Sequence, residues 1–142
     1  MNLPAIPFRT KGLDHVVLRA RDIDSMLGFY RDVLGLPVAK HNEPLGLWHL
    51  QAGDSMIDLI NIKGPLGGDG RWPSTEAQNV DHLALKIVPF DRDALRAYFD
   101  ARGVDVGPDQ IRFGADGDGP SIYLSDPEGN GVELKGIDPV RQ

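Results

Sequence analysis

Two histidines and two carboxylates stand at matching places in an internally repeated chain. The run Leu13-Asp14-His15-Val16-Val17-Leu18 recurs as Val80-Asp81-His82-Leu83-Ala84-Leu85. The copies close alike, with Met56-Ile57-Asp58-Leu59 and Gly131-Val132-Glu133-Leu134. Each half thus carries an imidazole in its first strand-like run and a carboxylate in its last. The chain has no cysteine, so any metal must be held by His and carboxylate. A donor set of His15, His82, Glu133 and Asp58 suits Fe, Mn, Ni, Co or Zn, and an open six-coordinate site would leave two positions free. Those positions could take two neighbouring oxygens of one substrate, with the metal acting as a Lewis acid. Glu133 is the candidate general base or acid. Asp58 is one methylene shorter than Glu133 and has a second reading, as a hydrogen-bond partner behind the ligands. A lone strand histidine is more often a satisfied surface residue than a ligand. What favours the metal here is the same register in both copies.

The elements that must position these residues can be read from hydropathy. Residues 13–20 alternate, with His15, Val17 and Arg19 on one face and Val16, Leu18 and Ala20 on the other. Asp22 or Asp24 caps a helix carrying Ile23, Met26, Leu27, Tyr30, Val33 and Leu34, and Gly35 ends it. A short strand over 36–40 and two strands over 45–52 and 55–62 follow, the last pair joined by a turn at Gly53-Asp54. Residues 64–79 are broken by Gly64, Pro65, Gly67, Gly68, Gly70 and Pro73 and read as a connector. Trp72 within it is a candidate to fold over a pocket. The second copy repeats the order: a strand from His82, a helix over about 91–102, a second glycine-rich loop over about 107–120, then a hairpin around Asp126-Pro127-Glu128-Gly129-Asn130. This is an α+β chain of two tandem βαβββ modules. Module one spans about 12–62, the linker 63–79 and module two about 80–137, within a single domain over 1–142. Paired as a curved mixed sheet with helices on its outer face, the modules bury Val16, Leu18, Leu83 and Leu85 and leave His15, His82, Asp58 and Glu133 on the inner face. The same parity turns His49, Tyr123, Met56 and Arg19 inward as candidate substrate contacts. Arg112, in the second glycine-rich loop, could reach an anionic substrate, although a solvated loop arginine is the commoner case.

Bulk composition narrows the classes. The chain has 142 residues, 41% hydrophobic and 25% charged, which is ordinary for one globular domain. A net charge of −6 with no basic stripe argues against nucleic acid. The apolar runs are too short to span a bilayer, and residues 1–10 hold two prolines and no apolar core of a signal peptide. A cytoplasmic location is expected.

The opening run, followed by Asp22-Ile23, Phe29-Tyr30 and Val33-Leu34-Gly35-Leu36, resembles the first module of the vicinal oxygen chelate superfamily. The stretch from Tyr123 to Leu134 resembles its closing hairpin. That superfamily contains glyoxalase I, methylmalonyl-CoA epimerase, fosfomycin-resistance transferases, extradiol dioxygenases and metal-free bleomycin-binding proteins. The resemblance implies metal ligands at His15, His82 and Glu133. Asp58 stands where glyoxalase I has Glu and the epimerase Gln, and this departure leaves a three-ligand site open. The resemblance further implies a homodimer whose modules pair within a chain or swap between chains. The expected function is a divalent-metal enzyme acting on a small molecule, with glyoxalase-like lyase or isomerase chemistry first and ring-cleaving dioxygenation next. The alternative is a drug-binding protein without catalysis.

Overall fold

The computed structural model describes residues 9, 13–67 and 80–137. Strand β1 (His15–Ala20) leads through Asp22 into α1 (Ile23–Leu27). The Asp22 carboxylate accepts from the Ser25 backbone N–H at 3.1 Å and from its hydroxyl at 2.7 Å, satisfying a donor that the helix start would leave open. The sequence predicts one α-helix to Leu34. Instead, Gly28–Val33 winds as a π-helix, with Leu34 N–H reaching Phe29 O at 2.9 Å. The apolar spacing cannot tell the two apart, because their periods barely diverge within so short a stretch. Strands β2 (Val38–Asn42), β3 (Leu47–Ala52) and β4 (Ser55–Asn61) complete module one. Module two holds β5 (His82–Ile87), α2 (Arg92–Asp100), β6 (Gln110–Gly114), β7 (Gly117–Ser125) and β8 (Gly131–Gly136).

Each module forms its own four-stranded mixed sheet, in the order β1-β4-β3-β2 and β5-β8-β7-β6. In both, the first strand pairs in parallel with the last, and the remaining pairs are antiparallel. The two βαβββ modules and the α+β class therefore stand as expected. The second glycine-rich segment does not. Residues 107–120 were expected to be a loop, yet Gln110–Gly114 and Gly117–Ser125 form a hairpin. Their glycines make room rather than break structure: a Cβ on Gly119 would lie 2.7 Å from Gly136 O, and one on Gly114 would lie 3.0 Å from the Lys135 stem.

One core runs through both modules. Leu18, Met26, Phe29, Tyr30, Leu50, Ile57 and Leu59 pack in the same buried cluster as Phe99, Ile122, Leu124, Val132 and Leu134. Each such side chain contributes about 1.5–3 kcal/mol when fully buried. Polar contacts pin the first helix to module two. The fully buried Tyr30 donates its hydroxyl to Asp126 Oδ2 at 2.7 Å, and Arg21 N–H donates to Glu128 Oε1 at 2.6 Å. Both acceptors lie in the β7–β8 turn. Asp126 Oδ1 also accepts the N–H groups of Glu128 and Asn130, which explains the carboxylate at the start of that turn. Among the described residues no helix is long and apolar enough to cross a membrane.

Candidate functional site

The strand register decides which side chains meet. In module one, Val17 lies beside Asp58 and Asp58 opposite His49. In module two, Ala84 lies beside Glu133 and Glu133 opposite Tyr123. The equivalence of His49 with Tyr123, and of Asp58 with Glu133, is thus built into the sheets. All stand on the face opposite the core, and so do Met56, beside His15, and Arg19, beside Ile60.

Each module presents a histidine–carboxylate pair. His15 Nε2 is 4.0 Å from Asp58 Oδ2, and His82 Nε2 is 3.4 Å from Glu133 Oε1. The wider gap in module one accords with the shorter aspartate. Both carboxylates are almost fully buried, whereas the imidazoles are partly open to solvent. The other ring nitrogen is held in the same way in both copies: His15 Nδ1 is 2.7 Å from Asp14 Oδ2, and His82 Nδ1 is 2.7 Å from Asp81 Oδ2. A carboxylate at Nδ1 favours the proton there and leaves Nε2 with its lone pair towards the buried acid. The Asp14 hydrogen bond also raises the His15 pKa above 6.5. Sequence reasoning left these two aspartates without a place in the candidate site. The signal was the Asp-His pair repeated in both copies.

The two acids differ in their surroundings. Glu133 accepts from Ser121 Oγ at 3.0 Å and from the Tyr123 hydroxyl at 2.5 Å. That second bond, to a carboxylate, raises the Tyr123 pKa above 10. The Arg112 Nε donates to the same hydroxyl at 3.3 Å, and the His82 and Tyr123 rings meet edge to face at 5.6 Å. Arg112 is therefore on strand β6, not on a loop, and it does reach the candidate site. Asp58 has no such support. His49 Nδ1 lies 2.9 Å from its Oδ1, and among the described residues that buried oxygen has no hydrogen bond. A buried carboxylate oxygen without a donor is costly unless a cation meets it. This orphaned atom, with imidazole nitrogens facing both acids, fits a divalent metal. Arg19 donates to Gly67 O at 3.0 Å. Trp72 lies outside the described residues.

The four ligand candidates are not gathered in one place within a chain. Among the described residues, no three His or acidic side chains form one group able to hold a metal. A single chain presents two separate histidine–carboxylate pairs, one per sheet.

The profile of the Glyoxalase/Bleomycin resistance protein/Dioxygenase superfamily matches residues 12–134, and the chain belongs to that superfamily. Among solved structures, one from the mobile metagenome of V. pseudocholerae is 26% identical with a TM-score of 0.70, covering 94% of this chain and 99% of that one. A lactoylglutathione lyase from Agrobacterium tumefaciens is 25% identical with a TM-score of 0.65, over 90% of this chain and 95% of its own. The fosfomycin resistance protein FosX from Mesorhizobium loti is 20% identical, with a TM-score of 0.64 over 94% and 98%, and shares the fold.

Proposed function

We propose that this protein is a divalent-metal-dependent enzyme acting on a small substrate with two neighbouring oxygens, in glyoxalase-like lyase or isomerase chemistry. Ring-cleaving dioxygenation is the next reading. The observation that carries the proposal is the pair of matching half-sites, in which an oriented imidazole Nε2 faces a buried carboxylate. His15, His82 and Glu133 would hold the metal, and the orphaned Asp58 oxygen is placed to join them. A metal bound there would supply Lewis acidity towards the substrate oxygens. We further propose that the site is completed in a homodimer, where His15 and Asp58 of one subunit meet His82 and Glu133 of another.

The remaining work falls to residues of the chain. Glu133 is placed to accept a proton from the substrate at Oε1 or to return it. Its hydrogen bonds from Ser121 and Tyr123 hold it in one orientation. Tyr123 keeps its proton at neutral pH and so serves as a donor rather than a base. A metal assay of purified protein beside His15→Ala and His82→Ala tests the reading. We expect about one Fe, Mn, Ni, Co or Zn per chain, lost in both variants. Iron would direct assays to catechols and oxygen consumption; nickel, cobalt or zinc would direct them to hemithioacetals. No metal after reconstitution would overturn the enzyme reading and leave a small-molecule-binding protein.

A further inference from the structure

The two modules differ in what stands opposite the buried acid. In module two, Tyr123 donates its hydroxyl to Glu133; in module one, His49 on β3 stands opposite Asp58 on β4. His49 Nδ1 is 2.9 Å from Asp58 Oδ1, close enough for a hydrogen bond, yet among the described residues that buried oxygen has none. Two lone-pair atoms this close, with no proton shared between them, repel, and a cation touching both removes the cost. The spacing suits an ion. Two donors about 2.1 Å from one metal and at right angles around it lie roughly 3 Å apart. The other oxygen, Asp58 Oδ2, is the one 4.0 Å from His15 Nε2. A third imidazole therefore stands on the inner face, with its nitrogen beside a carboxylate oxygen that lacks a donor.

The three imidazoles are not held alike. His15 and His82 are each fixed through Nδ1 by the preceding aspartate, at 2.7 Å, and present Nε2. His49 presents Nδ1, and among the described residues no group holds its Nε2. A ligand without such a partner is free to turn and is the easiest of its set to displace. His15, His82, Glu133 and Asp58 would fill four positions of a six-coordinate ion, and His49 a fifth. We infer that His49 is a third imidazole ligand of the proposed metal, bound through Nδ1 and given up when the second oxygen of a substrate arrives. The site thereby selects chelating substrates. A single oxygen fills the open position and leaves His49 in place, whereas two neighbouring oxygens need the position that His49 vacates. The inference rests on the proposed function in one respect, that a divalent metal binds on this inner face.

The chain has four histidines, so their ring nitrogens can be followed one by one. The test adds zinc to the metal-free full chain and records long-range proton–nitrogen spectra of the imidazoles. Zinc should move Nε2 of His15 and of His82 and Nδ1 of His49, and leave His41, which stacks on Trp48, unmoved. Acetohydroxamate, a chelating probe, should then return His49 alone to its metal-free position. His49→Gln should bind zinc about tenfold more weakly in competition with a chromophoric chelator. Zinc that moves His15 and His82 but not His49, or binds His49→Gln as tightly as the wild type, overturns this inference alone. Zinc that moves His49 and neither of the others keeps His49 as a ligand and overturns the site shared between modules. Zinc that moves none of them overturns both readings. A His49 still on the zinc once acetohydroxamate has bound overturns the exchange.

Discussion

Asp14 and Asp81 do more for the candidate site than their place beside the histidines suggests. Each is largely exposed, yet each holds an imidazole by Nδ1 at 2.7 Å and so fixes which nitrogen faces the buried acid. Removing such a partner leaves the ligand free to rotate and to carry its proton on the wrong nitrogen. We expect Asp81→Ala to weaken metal binding about 10- to 100-fold with little change in melting temperature. Competition against a chromophoric chelator measures this, and an unchanged affinity would remove the orienting role. At this scale the chain was largely legible. Strand parity alone put His15, His82, Asp58, Glu133, His49 and Tyr123 on one face, because a period of two leaves no other choice once the apolar residues are buried. Ser121 shares that face by the same rule, but nothing in the local pattern marked it. Its contact with Glu133 is cross-strand, and register alone brings the two close.

The elements were legible where local chemistry is one-sided. Asp22 before an apolar helical pattern announced a cap, and its carboxylate indeed takes both Ser25 donors. Those bonds, the hydroxyl first, hold the Asp22 pKa below 3.8. A carboxylate stabilised in the folded state contributes fully above its unfolded pKa and loses that contribution as pH falls through its lower folded value. Asp22→Ala should therefore melt below the wild type at neutral pH, and the gap should close on acidification below 3.8. Melting curves across that range test it, and a gap independent of pH would assign the loss to something other than the charged cap. The β6–β7 hairpin was illegible for a physical reason. Glycine and proline are ordinarily punctuation, but here Gly114 and Gly119 are small because a lysine side chain and a backbone carbonyl occupy the space where their Cβ atoms would be. That need is tertiary, and no local window contains it.

At the scale of the molecule, one buried core runs through both modules, and the first helical segment and the β7–β8 turn add polar contacts between them. The Tyr30 hydroxyl is buried against Asp126, and burial keeps it protonated well above the usual phenol range. Tyr30→Phe leaves a buried carboxylate short of one donor and should cost about 1–3 kcal/mol, read from urea denaturation. Among the described residues no single chain gathers the candidate ligands into one group, which is why the proposed assembly draws on a second subunit. The sequence showed the repeat but could not choose between pairing within a chain and pairing between chains, since both bury the same faces.

Subunit mixing decides between them. His15→Ala and His82→Ala homodimers each lack a histidine in every site. In a mixed dimer with sites between subunits, one site loses both histidines and the other regains both. With equal amounts unfolded and refolded together, half the dimers are mixed and each holds one intact site. Metal should then return to about a quarter of the wild-type amount per chain, by the rule that a site needs its full ligand set. Sites formed within a chain would gain nothing from mixing. Metal that stays absent from refolded mixed dimers, while wild type refolded in parallel recovers its own, would place the site within one chain and require the helix–turn contact at Tyr30 and Asp126 to open when metal binds.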